Sequence, residues 1–158
     1  MRDYTIELLD DLPENIEEKM HKGLVAYETG NGVDCNYKKF SFTLVTKSGE
    51  AFGVLNAYTV FAEVYIDDLW VDVSWRGRGY GRKLLQALED KFRNRGFNNI
   101  NLVTSAFQAP GFYEKCGYEA EFTRKNVHNP KLSKTFFTKY FEDRVQNQGI
   151  ITQANASA

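Results

Sequence analysis

Residues 71–85, VDVSWRGRGYGRKLL, constrain this chain more than any other stretch. The apolar run that leads into them, 64–73, is dominated by β-branched and aromatic residues and predicts a strand that stops at Ser74 and Trp75. Gly77, Gly79 and Gly81 then alternate with Arg78 and Tyr80, and Leu84, Leu85, Leu88 and Phe92 recur at the spacing of one helix face. Strand, glycine turn and helix in immediate succession make an anion cradle. Glycine lets the backbone approach a ligand with no Cβ in the way. The first N–H groups of a helix lack internal partners and sit at the positive end of its dipole, so a phosphate fits there. Arg76, Arg78, Arg82 and Lys83 add positive charge around the same point.

The spacing narrows the choice of anion. A P-loop needs G-x-x-x-x-G-K-[ST], which the turn lacks. The dinucleotide fingerprint needs G-x-G-x-x-G, but counting from Gly77 the sixth position is Arg82. A formal net charge of −1 argues against non-specific nucleic-acid binding, which needs a strongly basic face. Cys35 and Cys116 stand far apart in no motif spacing, so reduced thiols in a cytoplasmic protein are expected. No charged-then-apolar leader and no membrane-length apolar run is present, so neither export nor a membrane partner is expected. His21 and His128 have no carboxylate or cysteine at motif spacing, and no metal site is expected.

Along the chain, residues 4–9 read as a first strand, and 13–28 as a helix with Ile16, Met20, Leu24 and Val25 on one face. Strands are expected over 40–46 and 51–61, with Gly53 a candidate bulge, and over 99–104 after the helix that follows the glycine turn. The strand-helix-strand unit over 64–104 predicts parallel neighbours. Two last strands, 118–124 and 135–140, flank a polar loop, and 142–158 form a polar tail with little to bury. At 158 residues with 15% aromatics, the chain has enough apolar material for one folded domain over 1–141. The aromatic last strand is a candidate for pairing across a homodimer.

Counted from Arg76, the turn reads R-x-x-G-x-G through Gly79 and Gly81. This resembles the acyl-CoA pyrophosphate loop, [RQ]-x-x-G-x-[GA], of the GNAT superfamily of N-acetyltransferases. A second element, Ala109-Pro110-Gly111-Phe112-Tyr113-Glu114-Lys115-Cys116-Gly117-Tyr118, resembles the A-x-x-F-Y-x-K-x-G-[FY] helix of the same superfamily. The resemblance implies an α/β (α+β) fold: a mixed central sheet of about six to seven strands flanked by helices. It also implies acetyl-CoA as co-substrate, and a small-molecule or peptide amine as acceptor that attacks the thioester directly. The diphosphate would rest on the backbone of Arg76, Gly77, Arg78, Gly79, Tyr80, Gly81 and Arg82. The pantetheine arm would pair with exposed backbone at Leu69, Trp70, Val71 and Val73, like an added strand.

Tyr113 matches the superfamily's general acid, whose phenol protonates the leaving thiolate. Its other reading is half of an aromatic core pair with Phe112. Asp67 and Asp68 interrupt an apolar strand and are the candidates for taking the amine proton, unless one or two waters do so. Adjacent strand residues face opposite sides, so at most one enters the cleft, and Asp67 shares a face with Tyr65 in a regular strand. Two positions depart from the pattern: Tyr65 stands where some relatives carry a catalytic Glu, and Ala106 where many carry an Asn that meets pantetheine. Gln108 could supply the missing amide or only cap the short helix. Two other function classes share the glycine turn: an idle acyl-CoA-binding regulatory module, and a nucleotide-binding α/β protein of another kind.

Overall fold

In the computed structural model, which describes residues 4–141, alternating burial along each central strand marks one sheet face as core. The expected tail, 142–158, lies outside the described residues. The chain divides into two compact units, one ending at Cys35 and the other beginning at Asn36.

The first unit holds α1 (Glu14–Gly30). Its first-turn acids, Glu14 and Glu17, suit the positive end of the helix dipole, and Pro13 accepts from the N–H groups of Ile16 and Glu17. The helix ends at Asn31, whose N–H returns to Tyr27 and Glu28 carbonyls. Residues 4–9, expected as a strand, form none. Alternation at Tyr4, Ile6 and Leu8 is a pattern only; a strand also needs a hydrogen-bonded neighbour, and this segment has none among the described residues.

The second unit is a six-stranded mixed sheet in the order β1-β2-β3-β4-β6-β5. Its strands are β1 (Lys38–Val45), β2 (Ala51–Val60), β3 (Glu63–Val71), β4 (Asn99–Ser105), β5 (Glu119–Arg124) and β6 (Lys134–Tyr140). Every pair is antiparallel except β3 with β4, the parallel pair joined through α2 (Tyr80–Phe92). β6 inserts between β4 and β5, so β5 is left as an edge strand with every residue exposed. The register between β1 and β2 slips at Leu44/Val45, which places the extra residue at Phe52, next to the expected Gly53.

Leu84, Leu85, Leu88 and Phe92 of α2 bury against Leu55, Ala57, Val64, Ile66, Ile100 and Leu102 of the sheet. Each such side chain contributes roughly 1.5–3 kcal/mol on leaving water, which fixes α2 on that face. The short α3 (Pro110–Lys115) packs beside this core through Phe112 and Tyr113. No helix among the described residues is long and apolar enough to cross a membrane.

Candidate active site

The parallel pair does not stay paired. β3 and β4 are in register only from Glu63↔Asn99 to Ile66↔Leu102; β3 continues over 67–71 and β4 over 103–105 without meeting. A bulge marks where they part: Asn56 pairs with Asp68 and Ala57 with Ile66, so Asp67 is the extra residue. Bulges bend a strand and sharpen its twist. They also exchange its faces: Val64 and Ile66 are buried before Asp67, whereas Leu69 and Val71 pack on the core after it. The backbone of Leu69, Trp70 and Val71 thus forms one lip of an opening between strands. Val73 lies beyond the strand, in a 3-10 turn (Val73–Trp75), where its carbonyl accepts from the N–H of Arg76.

The glycine turn closes the far end of β3. Asp72 caps the 3-10 turn by accepting from the N–H of Ser74 at 2.8 Å, and the Arg76 Nε donates to the Val71 carbonyl at 2.8 Å. Gly79 is the N-cap of α2 with φ of 79°, a left-handed backbone that L side chains rarely adopt. Among the described residues no side chain caps the helix, so its first N–H groups are left for another acceptor. An aromatic cluster braces the turn from below: Phe52 stacks on Trp75 at 4.3 Å and meets Tyr80 edge-on at 5.0 Å. The Arg78 guanidinium lies 5.6 Å from the Trp75 ring centre, and Lys83 lies 5.3 Å from that of Tyr80.

The two sequence motifs touch each other. A Cβ at Gly81 would stand 3.1 Å from Cζ of Phe112, so the glycine in the turn is also what lets α3 approach α2. The Arg82 Nη2 donates to the Lys115 carbonyl at 2.9 Å, holding the end of α3 from the other motif. Tyr113 is half-buried, with its ring 5.9 Å from Phe137 and 5.2 Å from Phe112. Burial first, then the neighbouring Cys116, pushes its phenol up to about 12. It therefore carries its proton throughout the neutral range. Gln108 accepts from the N–H of Ser105 at 2.7 Å and from the Thr104 hydroxyl at 3.1 Å. It braces the end of β4, and α3 has no side-chain cap.

The two acids separate. Asp68 accepts from Nδ2 of Asn56 at 3.0 Å, in a chain that continues to Ser41. Asp67, set out by the bulge, is exposed and lines a cavity of about 500 Å³ with Tyr58, Tyr65, Asn101 and Phe136. Ile66 and Leu102, the last residues to pair, line it too, so the cavity opens where the strands part. Sequence patterning had not brought Tyr58 or Asn101 to this place. Their signal was present in the polar alternation of β2 and β4, which marks a second sheet face without saying what covers it.

Comparison with known proteins places the chain in a family. The Acetyltransferase (GNAT) family matches residues 6–118. The chain belongs to that family. This GNAT chain is 38% identical over 71 residues to the blasticidin-S acetyltransferase of Streptomyces morookaense, covering 44% of this chain and 52% of that protein. The matched stretch thus spans about half of that relative's length. A crystal structure of an acetyltransferase from Bacillus cereus superposes with TM-score 0.70 at 28% identity, covering 85% of this chain and 97% of that one. An aminoglycoside 6′-N-acetyltransferase complexed with coenzyme A shares the fold at TM-score 0.58 and 19% identity, over 83% and 80% of the two chains.

Proposed function

We propose that this chain moves an acetyl group from acetyl-CoA to the amine of a small molecule, by direct attack within a ternary complex. The observation that carries the reading is the parting of β3 and β4 beside the uncapped start of α2. An extended pantetheine arm fits such an opening by pairing with the Leu69–Val71 backbone, as a strand would. The coenzyme's diphosphate suits the N–H groups from Gly77 to Arg82. Arg76 and Arg82 already hold carbonyls at 2.8 and 2.9 Å, so they shape the turn, while Arg78 is left to face the phosphates. The Nε2 of Gln108 makes no hydrogen bond among the described residues and suits a pantetheine carbonyl.

Three steps follow. The amine nitrogen attacks the thioester carbon and its proton passes to Asp67, directly or through water. The carbon–sulfur bond breaks, and the Tyr113 phenol shares its proton with the leaving thiolate. Because burial keeps that phenol protonated, its contribution is a standing hydrogen bond to developing charge as much as a completed transfer. The relative named for blasticidin S and the CoA-bound neighbour support an amine acceptor and a CoA donor, respectively.

The test pairs thiol release from acetyl-CoA, across a panel of amines, with thermal shifts in CoA, ATP and NAD. A rise in melting temperature with CoA alone, together with amine-dependent thiol release, is expected. A shift without release with any amine would indicate an idle acyl-CoA-binding module. A shift with ATP or NAD in place of CoA would contradict the reading.

A further inference from the structure

The sheet face away from α2 carries a row of side chains that acetyl transfer alone does not require. Glu63, Tyr65 and Asp67 follow one another along β3, and all three line the 500 Å³ cavity. Tyr58, directly opposite Tyr65 in the register, stacks on it with ring centres 5.2 Å apart and planes 7° from parallel. Glu63 does not swing freely. The Tyr65 hydroxyl and the Asn101 Nδ2 (the latter at 2.9 Å) both donate to its Oε2, and Asn101 accepts in turn from Asn99 at 2.8 Å. Oε1 of the same carboxylate takes no hydrogen bond among the described residues. Across the cavity stand Phe136 and a third acid, Glu121, and among the described residues no Lys or Arg lines it.

We propose that this cavity takes a diamine: one nitrogen beside Asp67, where it is acetylated, and a second, cationic nitrogen on Glu63. The intervening chain crosses the faces of Tyr65 and Tyr58. Asp67 follows Glu63 by four positions, at most roughly 13 Å between their Cα atoms in an extended strand. An extended chain of about eight carbons spans a gap of that order. Apolar methylenes suit an aromatic floor, and an ammonium at either end is drawn both to the carboxylate and to the ring faces beside it. The cavity's acids set the sign of the ligand, and the separation of Glu63 from Asp67 sets its length. Two anchors also orient the chain, so that one end reaches the opening between β3 and β4 and the other cannot. Glu63 is a specificity-determining residue in this arrangement.

The inference rests on the proposed acetyl transfer for its catalytic end, but its binding test does not. Calorimetric titration of the chain without coenzyme, with 1,8-diaminooctane, 1,4-diaminobutane and octylamine, reads the second anchor directly. The eight-carbon diamine should bind at least tenfold more tightly than octylamine, with a gain that shrinks in high salt and is missing for 1,4-diaminobutane. Glu63→Gln should bring the ratio of diamine to monoamine affinity close to one, and Tyr65→Phe, which frees the carboxylate, should lower it less. Equal affinity of the wild-type chain for 1,8-diaminooctane and octylamine would overturn the subsite, whether or not either variant folds. Thiol release with the same amines separates the two claims. Preferential diamine binding without release removes the transfer reading and keeps the subsite. Equal release from monoamine and diamine removes the subsite and keeps the transfer reading.

Discussion

Tyr113 carries the proposed acid chemistry, and its surroundings set what it can do. The ring is fixed by Phe112 and Phe137 and the hydroxyl is raised to about 12. Tyr113→Phe keeps those ring contacts and removes only the proton. Turnover should therefore fall about a hundredfold, within the usual range for a lost general acid, while acetyl-CoA affinity changes by less than about twofold. Steady-state kinetics beside a binding titration measure both; unchanged turnover would remove Tyr113 from the mechanism. The same raised phenol means that no descending limb from Tyr113 should enter the pH–rate profile below about pH 10. Gly79 makes a separate prediction. A Cβ there meets nothing within 4 Å, so Gly79→Ala should cost only the left-handed backbone, about 1–2 kcal/mol in denaturant unfolding. At this scale the glycine turn and the short helix carrying Tyr113 were legible, because short motifs state residue type and spacing together. The choice between Asp67 and Asp68 was not settled by alternation. A bulge inserts one residue and exchanges the strand's faces, which counting from Tyr65 in a regular strand does not report.

At the scale of elements, α3 is the piece that should not stand alone. Six residues are far too few for an isolated helix to persist in water. Its last carbonyls are held by cations from elsewhere: Lys115 by Arg82 of α2, and Cys116 by Lys139 of β6, each at 2.9 Å. Lys139 also pairs with Glu89 at 2.9 Å, a carboxylate whose side chain is only 7% exposed. Lys139→Met strands that carboxylate and frees the end of α3. The cost should be on the order of 2 kcal/mol, less than for a fully enclosed pair because the lysine side chain is 30% exposed. Comparing its unfolding with that of Glu89→Leu/Lys139→Met checks this: the double variant should recover part of the loss, and no recovery would contradict it. Gly81→Val should act on the same contact from the other side, pushing Phe112 away at a cost of about 1–3 kcal/mol. Element types were largely readable, since helix and strand periods differ, and β4 fell close to its expected bounds. The segment 4–9 was not, because pairing is a long-range property that local alternation cannot report.

For the whole molecule, two half-buried tyrosines set the alkaline limit. Tyr65, through its hydrogen bond to the Glu63 carboxylate and then burial, and Tyr113, through burial, both rise from about 10 to about 12. Tyr118 is raised as well, by burial first. In the unfolded chain these phenols lose protons near pH 10, while the folded chain keeps those of Tyr65 and Tyr113 until about 12. Stability is therefore intact below pH 10 and falls as pH rises from about 10 to 12. Chemical denaturation at pH 9 and pH 11 should show that loss, and a smaller one in Tyr113→Phe. The mixed sheet with its parallel pair and the family were within reach of the sequence. The cavity was not, since it gathers Tyr58, Asp67, Asn101 and Phe136 from four strands whose register no motif records. The most direct measurement is a crystal structure of the chain with coenzyme A. The diphosphate should lie on the amides between Gly77 and Arg82, the pantetheine between β3 and β4, and the sulfur near the Tyr113 hydroxyl. A coenzyme bound elsewhere, with the opening after Ile66 and Leu102 empty, would contradict it.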